Sequence, residues 1–266
     1  KSGKNTKEFY TQMWQDINKN GFFKGEIWNR KKNGEIYAEW LNISTVTNKD
    51  SQITNYVAIF SDITKIKDTD EQIEYLAHHD PLTNLPNKLL LNARLEQSIE
   101  RANNEHQSLA VLFIDIDNFK LVNDSYGHTI GDRIINLVSL RLQKNVRKGD
   151  TISRIGGDEF VIVIEDINKE NTERIAQKII HDFTEPIKLE EYIFDTTITI
   201  GISLYPNNGI SYEDLIKHAD TAMHSAKAAG KNQFQFYKNQ MTSEIFEKVL
   251  MKQEIKNAIE KKEFEV

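Results

Sequence analysis

The chain has 266 residues, 39% hydrophobic and 28% charged, with a formal net charge of −6. These values fit one large or two smaller soluble domains and exclude a general electrostatic attraction to nucleic acid or an anionic membrane. Cysteine is absent, which excludes disulfides, thiolate catalysis and zinc–thiolate sites and agrees with a reducing cytoplasm.

From the N-terminus, "GEIWNR", "EIYAEWLNIS" and "ITNYVAIFSDIT" read as three antiparallel strands. The turns between them are "KKNG" (31–34), where Gly supplies a positive φ, and "NKDS" (48–51). Trp28, Trp40, Tyr56 and Phe60 are the expected apolar contributors to a thin half-sheet. "KIKDTDEQIEYLA" (65–77) carries Ile66, Ile73 and Leu76 at separations of seven and three. That seam fits either a short coil with a second copy or a linker helix packed on its own chain.

From Asp80 onward, helices and strands alternate. "DPLTNLPNK" (80–88) leads into a helix with Leu91, Leu95, Ile99 and Ala102 on one face. "SLAVLFIDI" is apolar on both faces and belongs in the middle of a sheet. Its run "LAVLFI" is far shorter than the ~20 residues a bilayer requires, and no signal peptide precedes it. The chain opens in mid-pattern, so an upstream anchor in a longer protein is compatible with it. A helix over "GDRIINLVSLRLQKNV", a hairpin of "DTISRI" and "FVIVIED", and a helix over "ENTERIAQKIIHDF" follow. Then come the strand "FDTTITIGISLYP", the helix "SYEDLIKHADTAMHSAKAAG" closed by Gly230, and the strand "QFQFY". The order implies an α+β fold with one mixed sheet. From Met241 the chain reads as a charged amphipathic helix.

The chemistry concentrates at two points. Asp115, Ile116 and Asp117 end the central strand, and "RIGGDEF" turns the hairpin with Asp158 and Glu159. By itself the hairpin reads as a solvated turn, with two glycines for shape. With Asp115 beside it, it reads as a seat for a hard cation such as Mg2+, which accepts one or two carboxylates plus substrate phosphates. Gly156 and Gly157 let a phosphate approach the backbone closely. Lys120, expected on the turn leaving the strand, and Lys227 and Lys231, four apart at a helix end, are the candidate phosphate partners. Asn123, His128 and Asp132 surround the polar stretch "NDSYGHTIGD". Asp132 suits either a helix N-cap or a carboxylate pairing with the N1 and N2 donors of guanine.

Together, "IGGDEF", "DIDNFKLVNDSYGHTIGD", "DPLTNLPNK" and "ADTAMHSAKAAGKNQ" make residues 78–238 resemble the GGDEF family of diguanylate cyclases. The resemblance implies a palm-like mixed β-sheet with flanking helices, as in nucleotidyl cyclases, and condensation of two GTP into cyclic di-GMP with release of pyrophosphate. It implies that Asp115, the Ile116 carbonyl and Asp158 hold Mg2+ (or Mn2+), supported by Glu159. Asp158 is then the candidate base, Lys120, Lys227 and Lys231 hold phosphates, and Asn123, His128 and Asp132 contact guanine and ribose. Because each domain would bind one GTP, a homodimer is implied. "RKGD" (147–150) resembles the family's product-inhibition pattern, with Arg147 and Asp150 as ligands of cyclic di-GMP; the local alternative is a helix cap and a turn. Asn84, Lys88 and Lys231 depart from the family's usual Gly, Arg and Arg, and Lys lacks the planar fork of Arg.

The flanks carry weaker likenesses. Residues 1–64 are expected to hold the C-terminal half of a PAS sensor domain, on the strength of 20–64. Residues 65–79 would be a signalling helix, 80–238 the GGDEF domain, and 239–266 a helix resembling the opening of an EAL phosphodiesterase domain. Two other functions stay open at this stage: a GTP-binding switch for an EAL phosphodiesterase, and a cyclic di-GMP receptor using Arg147 and Asp150 alone. No nucleic acid partner and no membrane contact are expected of this segment.

Overall fold

The computed structural model describes residues 2–260, which divide into two compact units at Leu76/Ala77. The last residues of the expected EAL-like helix, 261–266, lie outside the described residues. No described helix is long and apolar enough to cross a membrane.

The first unit begins with a helix the sequence reading lacks, α1 (Lys7–Asn20). Thr6 caps it by accepting the Phe9 N–H at 3.2 Å, and Gly21 ends it in the left-handed conformation. Strands β1 (Phe22–Arg30), β2 (Ile36–Thr47) and β3 (Ile53–Asp62) form the expected antiparallel sheet in that order. Gly34, with φ of 93°, turns the first hairpin. The core is aliphatic, with Met13 and Ile17 of α1 packed on Ile27, Leu41 and Ile43. The aromatic set expected there is largely outside it: Trp40, Tyr56 and Phe60 are 47%, 48% and 62% exposed. In α2 (Thr64–His78), the seam residues Ile66, Ile73 and Leu76 are likewise exposed.

The second unit has α3 (Lys88–Glu105), β4 (Leu109–Ile116), α4 (Phe119–Tyr126), α5 (His128–Gln143), β5 (Thr151–Gly156) and β6 (Glu159–Glu165). It continues with α6 (Lys169–Asp182), β7 (Ile187–Leu189), β8 (Tyr192–Phe194), β9 (Ile198–Tyr205), α7 (Tyr212–Ala228), β10 (Phe234–Phe236) and α8 (Asn239–Glu260). The main sheet runs β10-β9-β4-β6-β5, with β10 parallel to β9 and the other pairs antiparallel. It is the α+β fold with a mixed sheet that the element order implies. All eight residues of β4 are buried, because helices cover both faces. Leu112 and Ile114 pack with Ile134 and Val138 of α5 and Ile179 of α6. Val111 and Phe113 pack with Leu91 and Leu95 of α3 and Met223 of α7. Period-two alternation therefore assigns Asp115 to the α3/α7 face.

Two contacts fix the geometry around the end of β4. At Gly201, in the middle of β9, an added Cβ would lie 2.0 Å from the Ala219 carbonyl oxygen and 2.1 Å from the Met223 nitrogen. Only glycine lets α7 lie this close to the sheet. The second contact is a clamp. Arg154 donates through Nη1 to both Asp80 carboxylate oxygens at 3.0 Å, and through Nε and Nη2 to the Gly157 carbonyl at 3.0 and 2.7 Å. It ties the β5–β6 turn to the segment entering α3.

Burial alone would raise the Asp80 carboxyl, but hydrogen bonds from Thr83 and Arg154, with the guanidinium charge, hold it below the usual carboxylate range. A depressed carboxylate contributes stability that is present above its ordinary value near 3.8 and lost as pH falls through the lower folded value. Asp80→Ala is accordingly expected to cost about 2 kcal/mol, between an exposed pair and a fully buried one. The parent–variant gap in thermal unfolding should narrow as pH falls below the ordinary carboxylate value near 3.8; a gap unchanged there would remove the clamp from the account.

Candidate active site

The β5–β6 turn is two residues long, Gly157 and Asp158, closed by the pair Gly156–Glu159. Gly157 has φ of 47°, a conformation L side chains rarely adopt, and nothing lies within 4 Å of a Cβ added at either Gly156 or Gly157. The turn is thus bare and open on the side a phosphate would approach. In register, Glu159 stands opposite Asp115, and the Ile116 N–H donates to the Asp158 carbonyl at 3.3 Å. The strand end and the hairpin acids therefore converge, as the sequence suggested.

Helix α7 lies over this edge. Lys227 Nζ is 2.6 Å from Asp115 Oδ1, an ion pair with Asp115 almost wholly buried. Asp220, seven residues earlier on the same stripe, pairs with His224 at 3.3 Å. Burial pushes the Asp115 carboxyl up; Lys227 opposes this, and the charges of Asp158 and Asp117 add to it. Glu159 is raised by burial and then by Asp115, Asp220 and Asp158. Asp220 is raised by burial against the pull of His224 and Lys227. Asp115, Asp158, Glu159 and Asp220, with Asp117 beside them, thus face one ammonium and one imidazole, and the site is short of positive charge.

That donor set fits magnesium. Asp115, Asp158 and the Ile116 carbonyl, the ligands the resemblance implies, would offer oxygen only, as a hard cation requires. Among the described residues, no group of three or more His, Cys, Asp or Glu is arranged to hold a metal unaided. The coordination left open is what substrate phosphates would supply. Asp117 has a different task. It accepts from Thr197 Oγ1 at 2.7 Å, Thr199 Oγ1 at 2.8 Å and the Asn232 N–H at 3.1 Å, and so pins the loop after α7 to the sheet.

The remaining candidates sit on a helical corner that differs from the expected loop. Lys120 and Asn123 lie on α4, not on a turn, and α5 begins at His128, not after Asp132. Asp132 is therefore no N-cap; it stands one turn beyond His128, on the same helix side, and both are exposed. Asn123 keeps its amide oxygen buried without a hydrogen-bond partner. Lys231 lies past the end of α7 and does not share a helical face with Lys227; its Nζ donates to Asn118 Oδ1 at 2.7 Å.

Arg147 and Asp150 form a turn well away along β5. Arg147 Nε meets Asp150 Oδ1 at 3.1 Å, and Nη2 donates to the Glu165 carbonyl. Arg147 is largely exposed while the Asp150 carboxylate is buried. The two line a groove of about 410 Å³ with Asn171 and Arg174. Arg174, Asp220 and His224 are the participants that sequence reading missed. For the last two the signal was available, in the spacing of "DTAMHSAK".

Fold and site together describe a nucleotidyl-cyclase-like palm domain. The family described as "Diguanylate cyclase, GGDEF domain" matches residues 77–233, and the chain belongs to it. Among curated relatives, it is 38% identical over 200 residues to the bifunctional diguanylate cyclase/cyclic di-GMP phosphodiesterase MucR of Pseudomonas aeruginosa. That match covers 75% of this chain and 29% of MucR. It is 33% identical over 194 residues to the cyclic di-GMP phosphodiesterase NbdA of the same species, covering 73% of this chain and 25% of NbdA. The chain therefore spans only a quarter to three tenths of these proteins. Among solved structures, the GGDEF domain of Pseudomonas aeruginosa TpbB (YfiN) superposes with a TM-score of 0.62 at 35% identity. It covers 63% of this chain and 99% of that one.

Proposed function

We propose that the chain is a diguanylate cyclase that condenses two GTP into cyclic di-GMP and two pyrophosphates as a homodimer. The reading rests on one observation: Asp115 and the acidic hairpin turn meet under Lys227 at the end of the central strand. Asp115, Asp158 and the Ile116 carbonyl would hold Mg2+, with Glu159 in support; bound there, the cation supplies Lewis-acid stabilisation of phosphoryl charge. Lys120, Lys227 and Lys231 hold the phosphates and offset charge building on the α-phosphate and the leaving pyrophosphate. Asp132 accepts hydrogen bonds from the N1–H and N2–H donors of guanine, a pair adenine lacks, and Asn123 and His128 complete the base and ribose contacts. Asp158 accepts the proton of the ribose 3′-hydroxyl as its oxygen bonds to the α-phosphorus of the other GTP and pyrophosphate departs. Two such steps close the ring.

Around this core, residues 1–64 act as a PAS-type input joined through the helix at 65–79. Residues 80–238 are the cyclase, and 239–266 open an EAL domain. Product returns to Arg147 and Asp150 and restrains the enzyme. A second reading is favoured by the relative named as a phosphodiesterase and by Lys at 88 and 231: the domain binds GTP and regulates an attached phosphodiesterase. Incubation with GTP and magnesium, followed by chromatography, separates the two. Cyclic di-GMP supports the cyclase, and GTP bound without product supports the switch.

A further inference from the structure

Gly131 is the fourth residue of α5, buried in the helix interior and without a positive φ. A helix gains about 1 kcal/mol when such a glycine becomes alanine, so backbone conformation gives no reason for it. Space does. A Cβ built at Gly131 would lie 1.9 Å from Asn123 Oδ1, 3.0 Å from Asn123 Cγ and 3.2 Å from the Phe119 ring. Phe119 is core and cannot retreat far; the Asn123 side chain is the part that would move. Its amide oxygen already lies buried on Gly131 without a hydrogen-bond partner, a placement with no internal reward.

Resting on the GTP reading of this site, we propose that Gly131 is a positioning residue. Its missing side chain is the seat that fixes the Asn123 amide for the nucleotide. Gly131 touches no substrate and acts through Asn123 alone.

Binding of the α,β-methylene analogue of GTP, measured calorimetrically with magnesium, tests this on four proteins: parent, Gly131→Ala, Asn123→Ala and the double variant. Gly131→Ala is expected to weaken binding about tenfold or more, the loss of one ligand hydrogen bond. The double variant should match Asn123→Ala within about twofold, because no amide remains to displace. Thermal unfolding provides a readout that needs no nucleotide. Introducing alanine at 131 should lower Tm in the parent background but not in the Asn123→Ala background, where the helix gain stands alone. Parental binding by Gly131→Ala, or losses that multiply in the double variant, would overturn the proposal while leaving the GTP reading intact. A parent that does not hold the analogue would overturn both.

Discussion

Asp115→Asn is expected to reduce GTP conversion by at least about a thousandfold, several kcal/mol of transition-state stabilisation, while leaving the domain folded. Asp115 is the most buried acid of the cluster, and its folded carboxyl is raised by burial and by the charges of Asp158 and Asp117. An amide keeps the shape and removes a charge that the empty protein holds at some cost. The unfolding temperature should therefore shift by only a few degrees, since Lys227, left without its partner, is itself partly open to solvent. The loss falls on catalysis, where a neutral amide neither draws a divalent cation nor balances Lys227. Near-parental turnover at a retained Tm would show that the buried carboxylate is structural.

Gly201→Ala has the largest expected effect on stability, about 3 kcal/mol or more, at the upper end for overpacking. What its methyl would meet is the backbone of α7 at Ala219 and Met223, and backbone cannot rotate aside as a side chain can. Helix α7 must lift, and with it Lys227 leaves Asp115. Stability in urea and GTP affinity should fall together. Gly157→Ala is the matched control: open space surrounds it, so only the φ of 47° is strained, at about 1 kcal/mol. Equal costs at the two positions would mean that α7 adjusts freely and does not hold the site's geometry.

Both effects concern residues whose roles differ in how far the sequence announced them. The strand "SLAVLFIDI" was legible because eight consecutive buried residues leave a run no exposed strand carries. The hairpin was legible because two glycines and two acids separate two apolar runs, and from those two elements the meeting of Asp115 and Asp158 follows. Helix α4 was not legible: "FKLVNDSY" is short and rich in residues that favour turns, and Phe119 holds it by packing on the core. The three-residue strands β7 and β8 fall below any periodic signal. In α1 only Met13 and Ile17 are buried, too few to stand out as a stripe. Trp40, Tyr56 and Phe60 misled because aromatic character says nothing of which sheet face is covered. Asp220 went unread although it stands four residues before His224 on the same helix, and its approach to Glu159 follows only from the fold. Gly131 and Gly201 carried no local mark at all, since each is required by a residue elsewhere in the chain.

The most direct test of the central claim is the initial rate of cyclic di-GMP formation from GTP and magnesium, followed against protein concentration for the parent and Asp158→Ala. A rate per chain that rises with concentration as dimers form, and that vanishes in Asp158→Ala, is the expected result. Product from Asp158→Ala at the parental rate, or none from the parent at any concentration despite bound GTP, would contradict it.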